Sequence, residues 1–237
     1  AAYLHADVND IVLVDNASSG LNAVLRSLAE FLGVGKGILY LDTAYVEVQA
    51  ILRYLAGDSR GTPPSPSLQT SLVQVNITPL MPNITRQGVL EQVENALRIH
   101  APRVGLCTFS HIISTPGLVL PVEELTTACQ KAGAKVLIDG AHVPGNIPLN
   151  LSAMAAEFYV GNGHKWLFSP KGSAFLHVRK QAQQFIFPPV IDSGPGQTPF
   201  TRSFMWQGTQ DPSAMIAIHD ALLWRKHLGE ADIMKYM

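Results

Sequence analysis

Two short segments concentrate the residue types that can do chemistry. Asp139-Gly140-Ala141-His142-Val143-Pro144-Gly145 puts an acid at the end of an apolar run. Gly161-Asn162-Gly163-His164-Lys165-Trp166 puts an amine just after another, with Lys165 standing 26 residues beyond Asp139. Pro170-Lys171-Gly172-Ser173-Ala174 follows closely. The spacing suits one strand, a loop, a short helix and a second strand, which would return both side chains to the crevice where carboxyl ends of parallel strands converge. A lysine amine can attack a carbonyl, and a carboxylate can hold a positive charge opposite it. On spacing alone, a lysine after a strand is more often a solvated surface residue, so both readings stand.

Other candidates sit at similar strand ends. Asn16, Ala17 and Ser18, in the run Asp15-Asn16-Ala17-Ser18-Ser19-Gly20, precede a helical pattern. Backbone N–H groups there could receive a phosphate, or the segment could simply cap the helix. Tyr45, ending Asp42-Thr43-Ala44-Tyr45, could stack on a flat ring or cover a helix start. Ser110, His111 and Ser114 follow the fourth apolar run, and the sequence leaves open which of them points inward. His111 has a useful pKa for proton transfer but is more often a structural hydrogen-bonding residue. Gly208-Thr209, after Trp206-Gln207, reads as a turn ahead of a helix cap. His5, His100, His177, His219 and His227 show no metal-ligand spacing, so no metal is assigned.

An acid and a lysine placed like Asp139 and Lys165 suit pyridoxal phosphate: the amine forms a Schiff base with the aldehyde, and the carboxylate keeps the pyridine nitrogen protonated. These segments resemble the class V aminotransferase family of fold-type I pyridoxal-phosphate enzymes, which includes cysteine desulfurases and isopenicillin N epimerase-like proteins. The matching residues are Asp139-Gly140-Ala141-His142, and His164-Lys165 with Gly172-Ser173-Ala174, and the resemblance runs over nearly the whole chain. It implies that Lys165 forms the Schiff base and shuttles the proton, with Asp139 as pyridinium partner beside His142. It also implies a phosphate turn at Asn16, Ala17 and Ser18, stacking by Tyr45, and a loop holding Ser110 and His111 beside the ring. Gly208 and Thr209 would reach the partner's cofactor phosphate in a homodimer with shared active sites.

The implied activity is transamination, epimerisation or carbon-sulfur lysis of an amino acid or sulfur-containing amino acid. A cysteine desulfurase needs a cysteine on a mobile loop. Cys107 falls in a strand pattern and Cys129 in a helix pattern, which disfavours that reaction. Arg202 is a lesser candidate for holding the substrate carboxylate. The competing reading is a catalytically silent domain that keeps the fold for binding or assembly. A nucleotide-binding domain is weaker, since no GxGxxG or GxxxxGK[ST] run follows a strand.

The elements that must position these residues are legible as an alternation. Apolar runs at Ile11 to Val14, Ile38 to Leu41, Ser71 to Ile77, Val104 to Phe109, Lys135 to Ile138, Glu157 to Val160 and Ser173 to Val178 read as strands. Leu21, Val24, Leu25, Leu28 and Leu32 form one helical stripe, and Val89, Val93, Ala96 and Leu97 another. Pro121 opens a third helix that Gly133 ends, and Asp211-Pro212-Ser213 opens a fourth running through Trp224. Gly57 to Ser67 and Pro188 to Pro199 read as loops. The expectation is an α/β fold, with a mostly parallel seven-stranded sheet and helices on both faces.

Composition narrows the partners. With 17 basic and 18 acidic residues the formal charge is -1, which offers no field for nucleic acid or anionic lipid. Every apolar run is interrupted before the length of a membrane span. Two cysteines are too few for a disulfide framework and read as buried thiols in a reducing, cytoplasmic setting. Residues 1-210 are expected to form the cofactor-binding large domain, and 211-237 the start of a linker helix toward a small domain. The absence of an initiator Met and the ending soon after a helix pattern suggest a piece of a longer protein.

Overall fold

Seven strands form one sheet in a computed structural model that describes residues 1–32, 35–57, 70–191 and 199–237. In chain order the elements are β1 (Ile11–Val14), α1 (Ala17–Phe31), β2 (Gly37–Leu41), α2 (Val46–Ala56), β3 (Ser71–Val75), α3 (Arg86–His100) and β4 (Val104–Ser110). A small hairpin of β5 (Ile112–Ile113) and β6 (Leu118–Val119) leads to α4 (Val122–Lys131), β7 (Lys135–Asp139), β8 (Phe158–Asn162) and β9 (Ala174–Val178). Four helices close the chain: α5 (Phe200–Ser203), α6 (Ser213–Ile216), α7 (Ile218–Leu228) and α8 (Glu230–Tyr236).

The sheet order is β1-β9-β8-β7-β4-β2-β3. Neighbours from β3 to β8 pair parallel, while β9 pairs antiparallel with both β8 and β1. Only β9 is therefore reversed, and the carboxyl ends of the other six strands share one edge. Side chains alternate between two cores, as the pleat requires when both faces are covered. Leu39, Leu41, Cys107, Val136 and Ile138 pack with Val89 and Val93 of α3 and Leu125 of α4. Ile38, Leu106 and Leu137 pack on the opposite face with Leu21, Val24 and Leu28 of α1 and Leu52 of α2.

All seven expected strands are present, with shifted ends. The third stops at Val75 rather than Ile77 because the Asp42 carboxylate takes the next donors: Ile77 N–H at 2.9 Å and Thr78 N–H at 3.1 Å. The expected short helix between Asp139 and the next strand is absent. Residues 140–157 form turns, and Pro144 and Pro148 within them remove backbone donors that a helix would need. The expected fourth helix breaks at Ala217 into α6 and α7; its N-cap is Pro212 rather than Asp211, whose carboxylate accepts from Ser213 N–H at 2.9 Å just ahead of the helix. The two expected loops fall largely on 58–69 and 192–198, outside the described residues. Among the described residues no helix is long and apolar enough to cross a membrane.

One buried residue on β9 makes stability depend on pH. His177 is buried, its Nδ1 has no partner among the described residues, and burial with help from Arg179 depresses its pKa to about 4 from an ordinary 6.5. The unfolded chain thus binds this proton near pH 6.5 and the folded chain only near pH 4. The contribution is complete above about 6.5 and lost as pH falls toward 4. Thermal melts should show a falling midpoint through that window, and His177→Leu should flatten the fall. An unchanged slope in the variant would assign the acid sensitivity to other groups, of which His111, also depressed to about 4 by burial, is the first to test.

Candidate active site

The shared edge of the sheet carries a cavity of about 180 Å³ built from five places in the chain. Asp139 ends β7 and Ser110 ends β4, and Asn162 at the end of β8 leads into His164 and Lys165. Asn16, Ala17 and Ser18 bring the start of α1, and Tyr45 and Glu47 bring the start of α2. His142 and Ala141 come from the turn after Asp139, and Ser114 from the β5–β6 hairpin. Parallel pairing of β4, β7 and β8 brings these strand ends side by side.

The amine and the acid lie in one polar arrangement. Lys165 Nζ stands 3.0 Å from His142 Nε2 and 5.9 Å from the centroid of the Tyr45 ring. Burial lowers the Lys165 pKa, while the carboxylates of Asp139 and Glu47 oppose that shift. His142 is likewise lowered, first by burial and then by Lys165. Asp139 is almost fully buried and accepts from Ala141 N–H at 3.0 Å. Burial raises its carboxyl pKa, and the Ala141 bond and Lys165 pull it back. A cation brought against this carboxylate would hold it ionised. His164 accepts from Ser173 N–H at 3.3 Å through Nδ1, which joins the Lys165 turn to the start of β9.

The start of α1 has fewer free donors than its sequence implies. Ala17 N–H donates to Asn162 Oδ1 at 2.8 Å, and Ser19 N–H to the Asn16 side chain at 2.9 Å. Those two donors are occupied, which leaves Ser18, with its N–H and hydroxyl, at the positive end of a 15-residue helix.

The structure brings together Asn16, Ala17, Ser18, Tyr45, Ser110, Asp139, His142, His164 and Lys165. His111 is placed elsewhere. The residue after Ser110 points to the opposite face, where His111 Nδ1 lies 2.9 Å from the Tyr159 hydroxyl and the ring lines a separate cavity of about 610 Å³. That larger space holds none of the acid, amine and helix-start residues described above. Gly208 and Thr209 sit outside the pocket in an exposed stretch, and Arg202 is exposed on α5. Asn162 and Glu47 line the pocket without having been singled out from sequence. Asn162 could have been found as a polar residue closing a buried strand, whereas Glu47 carries no local signal. Among the described residues no group of His, Cys, Asp and Glu is placed to hold a metal ion.

Comparison with known proteins relates the whole chain to a family. The family model described as Aminotransferase class-V matches residues 63–237. The chain is 28% identical over 251 residues to an isopenicillin N epimerase of Amycolatopsis lactamdurans, covering 100% of the chain and 60% of that protein. It is 31% identical over 228 residues to a putative L-cysteine desulfhydrase 1 of Oryza sativa subsp. japonica, covering 91% of the chain and 45% of that protein. A solved structure of C-DES, a lysine mutant with glycine covalently linked to its PLP cofactor, superposes with a TM-score of 0.83 at 20% identity. That match covers 99% of this chain and 60% of the other. The chain thus spans less than two thirds of the length of these relatives.

Proposed function

Because the chain belongs to the aminotransferase class V family, we propose that it binds pyridoxal phosphate and serves a carbon-sulfur lyase acting on a sulfur-containing amino acid. The observation that carries this reading is the Lys165 amine set 3.0 Å from His142 in the pocket that also holds the buried Asp139 carboxylate. The relatives include a putative cysteine desulfhydrase, and the C-DES structure holds that cofactor.

The residues present fit the group. Among the described residues the Asp139 carboxylate has one donor, Ala141 N–H to Oδ1, so its other oxygen could face a protonated ring nitrogen. Ser18 and the α1 N-terminus suit the phosphate, and Tyr45 is positioned to cover a planar ring. Bound pyridoxal phosphate supplies an aldehyde that condenses with amines and a ring that takes up electrons released beside it. Lys165 would then act as nucleophile and as the base that removes the substrate α-proton, its amine pKa lowered by burial. Asp139 would keep the ring nitrogen protonated. His142 and Tyr45 bound the space around the lysine.

Elimination is favoured over transfer of sulfur to a cysteine of the chain by the placement of the thiols. Cys107 and Cys129 are both fully buried in the core on the α3–α4 face, and burial together with Cys129 pushes the Cys107 thiol far above its ordinary range. Neither can attack a substrate sulfur. A second reading, a domain that binds without turnover, is favoured by one observation: among the described residues no arginine lines the pocket to hold a substrate carboxylate. A homodimer is part of the proposal, since Met205, Trp206, Gly208 and Thr209 are outside this chain's own pocket and the two apolar side chains are exposed.

The test is a panel. Protein loaded with pyridoxal phosphate is mixed with cysteine, cystine, alanine and an L-amino acid lacking sulfur, and visible absorbance, sulfide and α-proton exchange are followed. Sulfide release from cysteine is expected, and from cystine release of cysteine persulfide, which an added thiol reductant converts to sulfide. Exchange or inversion without sulfide would redirect the reading to epimerisation, and a spectrum unmoved by every amine would support the silent domain.

A further inference from the structure

We propose that Trp166 is a positioning residue that holds His142 in its Nε2–H tautomer, so that the ring presents a hydrogen rather than a lone pair to the Lys165 amine. The Trp166 indole Nε1 lies 3.1 Å from His142 Nδ1. Indole N–H donates and has no acceptor in the ring plane, so Nδ1 must supply the lone pair. A neutral imidazole has one donor and one acceptor, which assigns the proton to Nε2. Nε2 in turn stands 3.0 Å from Lys165 Nζ. An ammonium group carries three donors and no acceptor, whereas a free amine has the lone pair that an N–H requires. Contact in this tautomer therefore selects the neutral, nucleophilic amine.

The surroundings show why such a device matters. The charged groups facing Lys165 are Asp139 from the end of β7 and Glu47 from α2, and both favour the ammonium form. His164 precedes it in the same turn, and the Tyr45 ring attracts a cation from 5.9 Å. Burial acts in the other direction and exceeds the two carboxylates. The Trp166–His142 pair adds a directional preference to that burial. The backbone that carries the ring is tied within its turn, since the His142 carbonyl accepts from Asn146 Nδ2 at 3.0 Å.

The inference rests on Lys165 being the reactive amine, and its test uses cofactor-free full chain so that the two ideas fail separately. Nitrogen-15 NMR of the histidine side chains, with His142 assigned by its loss in His142→Ala, should show a pyridine-type Nδ1 and a pyrrole-type Nε2. Trp166→Phe keeps the aromatic packing and removes the donor, so the tautomers should mix. Lys165 reactivity is read by labelling with formaldehyde and cyanoborohydride across pH, quantified by peptide mass. With the imidazole free to accept from an ammonium, the labelling midpoint in Trp166→Phe should rise by roughly one pH unit, about tenfold slower labelling below the midpoint, the size expected for one hydrogen bond. The same shift must vanish in the His142→Ala background. A pyrrole-type Nδ1 in the unsubstituted protein overturns the proposal, as does a Trp166→Phe shift that persists without His142. Failure of the cofactor reading would show differently, as pyridoxal phosphate that borohydride does not fix to Lys165.

Discussion

Lys165→Ala should retain the fold and lose turnover by at least about 10²–10⁴-fold, the range attributable to a positioned acid-base group alone. The loss should exceed that range, because the same amine is assigned as nucleophile and as base. Borohydride treatment of the loaded protein should attach the cofactor to Lys165, and peptide mass mapping of the variant should show no attachment anywhere. The cavity left by the side chain can admit a small amine, so added methylamine should restore a fraction of α-proton exchange, rising with the concentration of its free base. Folding should survive, since the turn is tied by His164 to Ser173 and by the Trp166 carbonyl to Arg225, neither of which involves the Lys165 side chain. Retained turnover, or cofactor fixed to Lys171 instead, would move the reactive amine elsewhere.

How much of this arrangement is legible in the sequence follows from what each signal measures. Short apolar runs ending in Asp139 or leading into Lys165 report burial on both faces of a sheet, and parallel pairing of β4, β7 and β8 then places their ends together. The stripe in α1 is legible for the same reason. The stripe in α2, Val48, Ile51, Leu52 and Leu55, has the same spacing and is buried. His111 illustrates the limit: its place beside a strand end is readable, while the face it points to depends on whether Ser110 or its neighbour turns inward. The occupied Ala17 N–H depends on Asn162, 145 residues away, and no local pattern contains that bond. The same holds for the turns over 140–157, where Pro144 and Pro148 were visible but the length alone suggested a helix.

Arg225→Met should destabilise the protein by roughly 2–5 kcal/mol, measured as a fall in denaturant midpoint. Arg225 lies on α7 yet its side chain is fully buried. Its guanidinium donates to the Trp166 carbonyl at 2.6 Å, to the Gly145 carbonyl at 2.8 Å and in two bonds to Glu230, at 2.7 and 2.8 Å. It also stands 4.8 Å from the Phe168 ring centroid, beside a residue held at φ 69°. One cation thereby fastens the C-terminal helices to both chemistry-bearing turns. Those turns already touch: at Gly145, with φ 84°, an added Cβ would lie 2.4 Å from the Trp166 carbonyl oxygen. Methionine preserves much of the stem packing but leaves two carbonyls and a carboxylate without this donor. Glu230 is partly exposed and keeps the Tyr3 hydroxyl at 2.6 Å, so water can recover some of its loss, which favours the lower part of the range. Arg225→Lys should fare little better than methionine, because one ammonium cannot reach three acceptors arranged around a planar fork. Pairing Arg225→Met with Glu230→Gln should cost less than the sum of the two single changes, since the carboxylate no longer stands unpaired. Strict additivity, or a loss below about 1 kcal/mol, would mean that the guanidinium contributes no more than a surface ion pair and that the two turns are held by their own backbone contact.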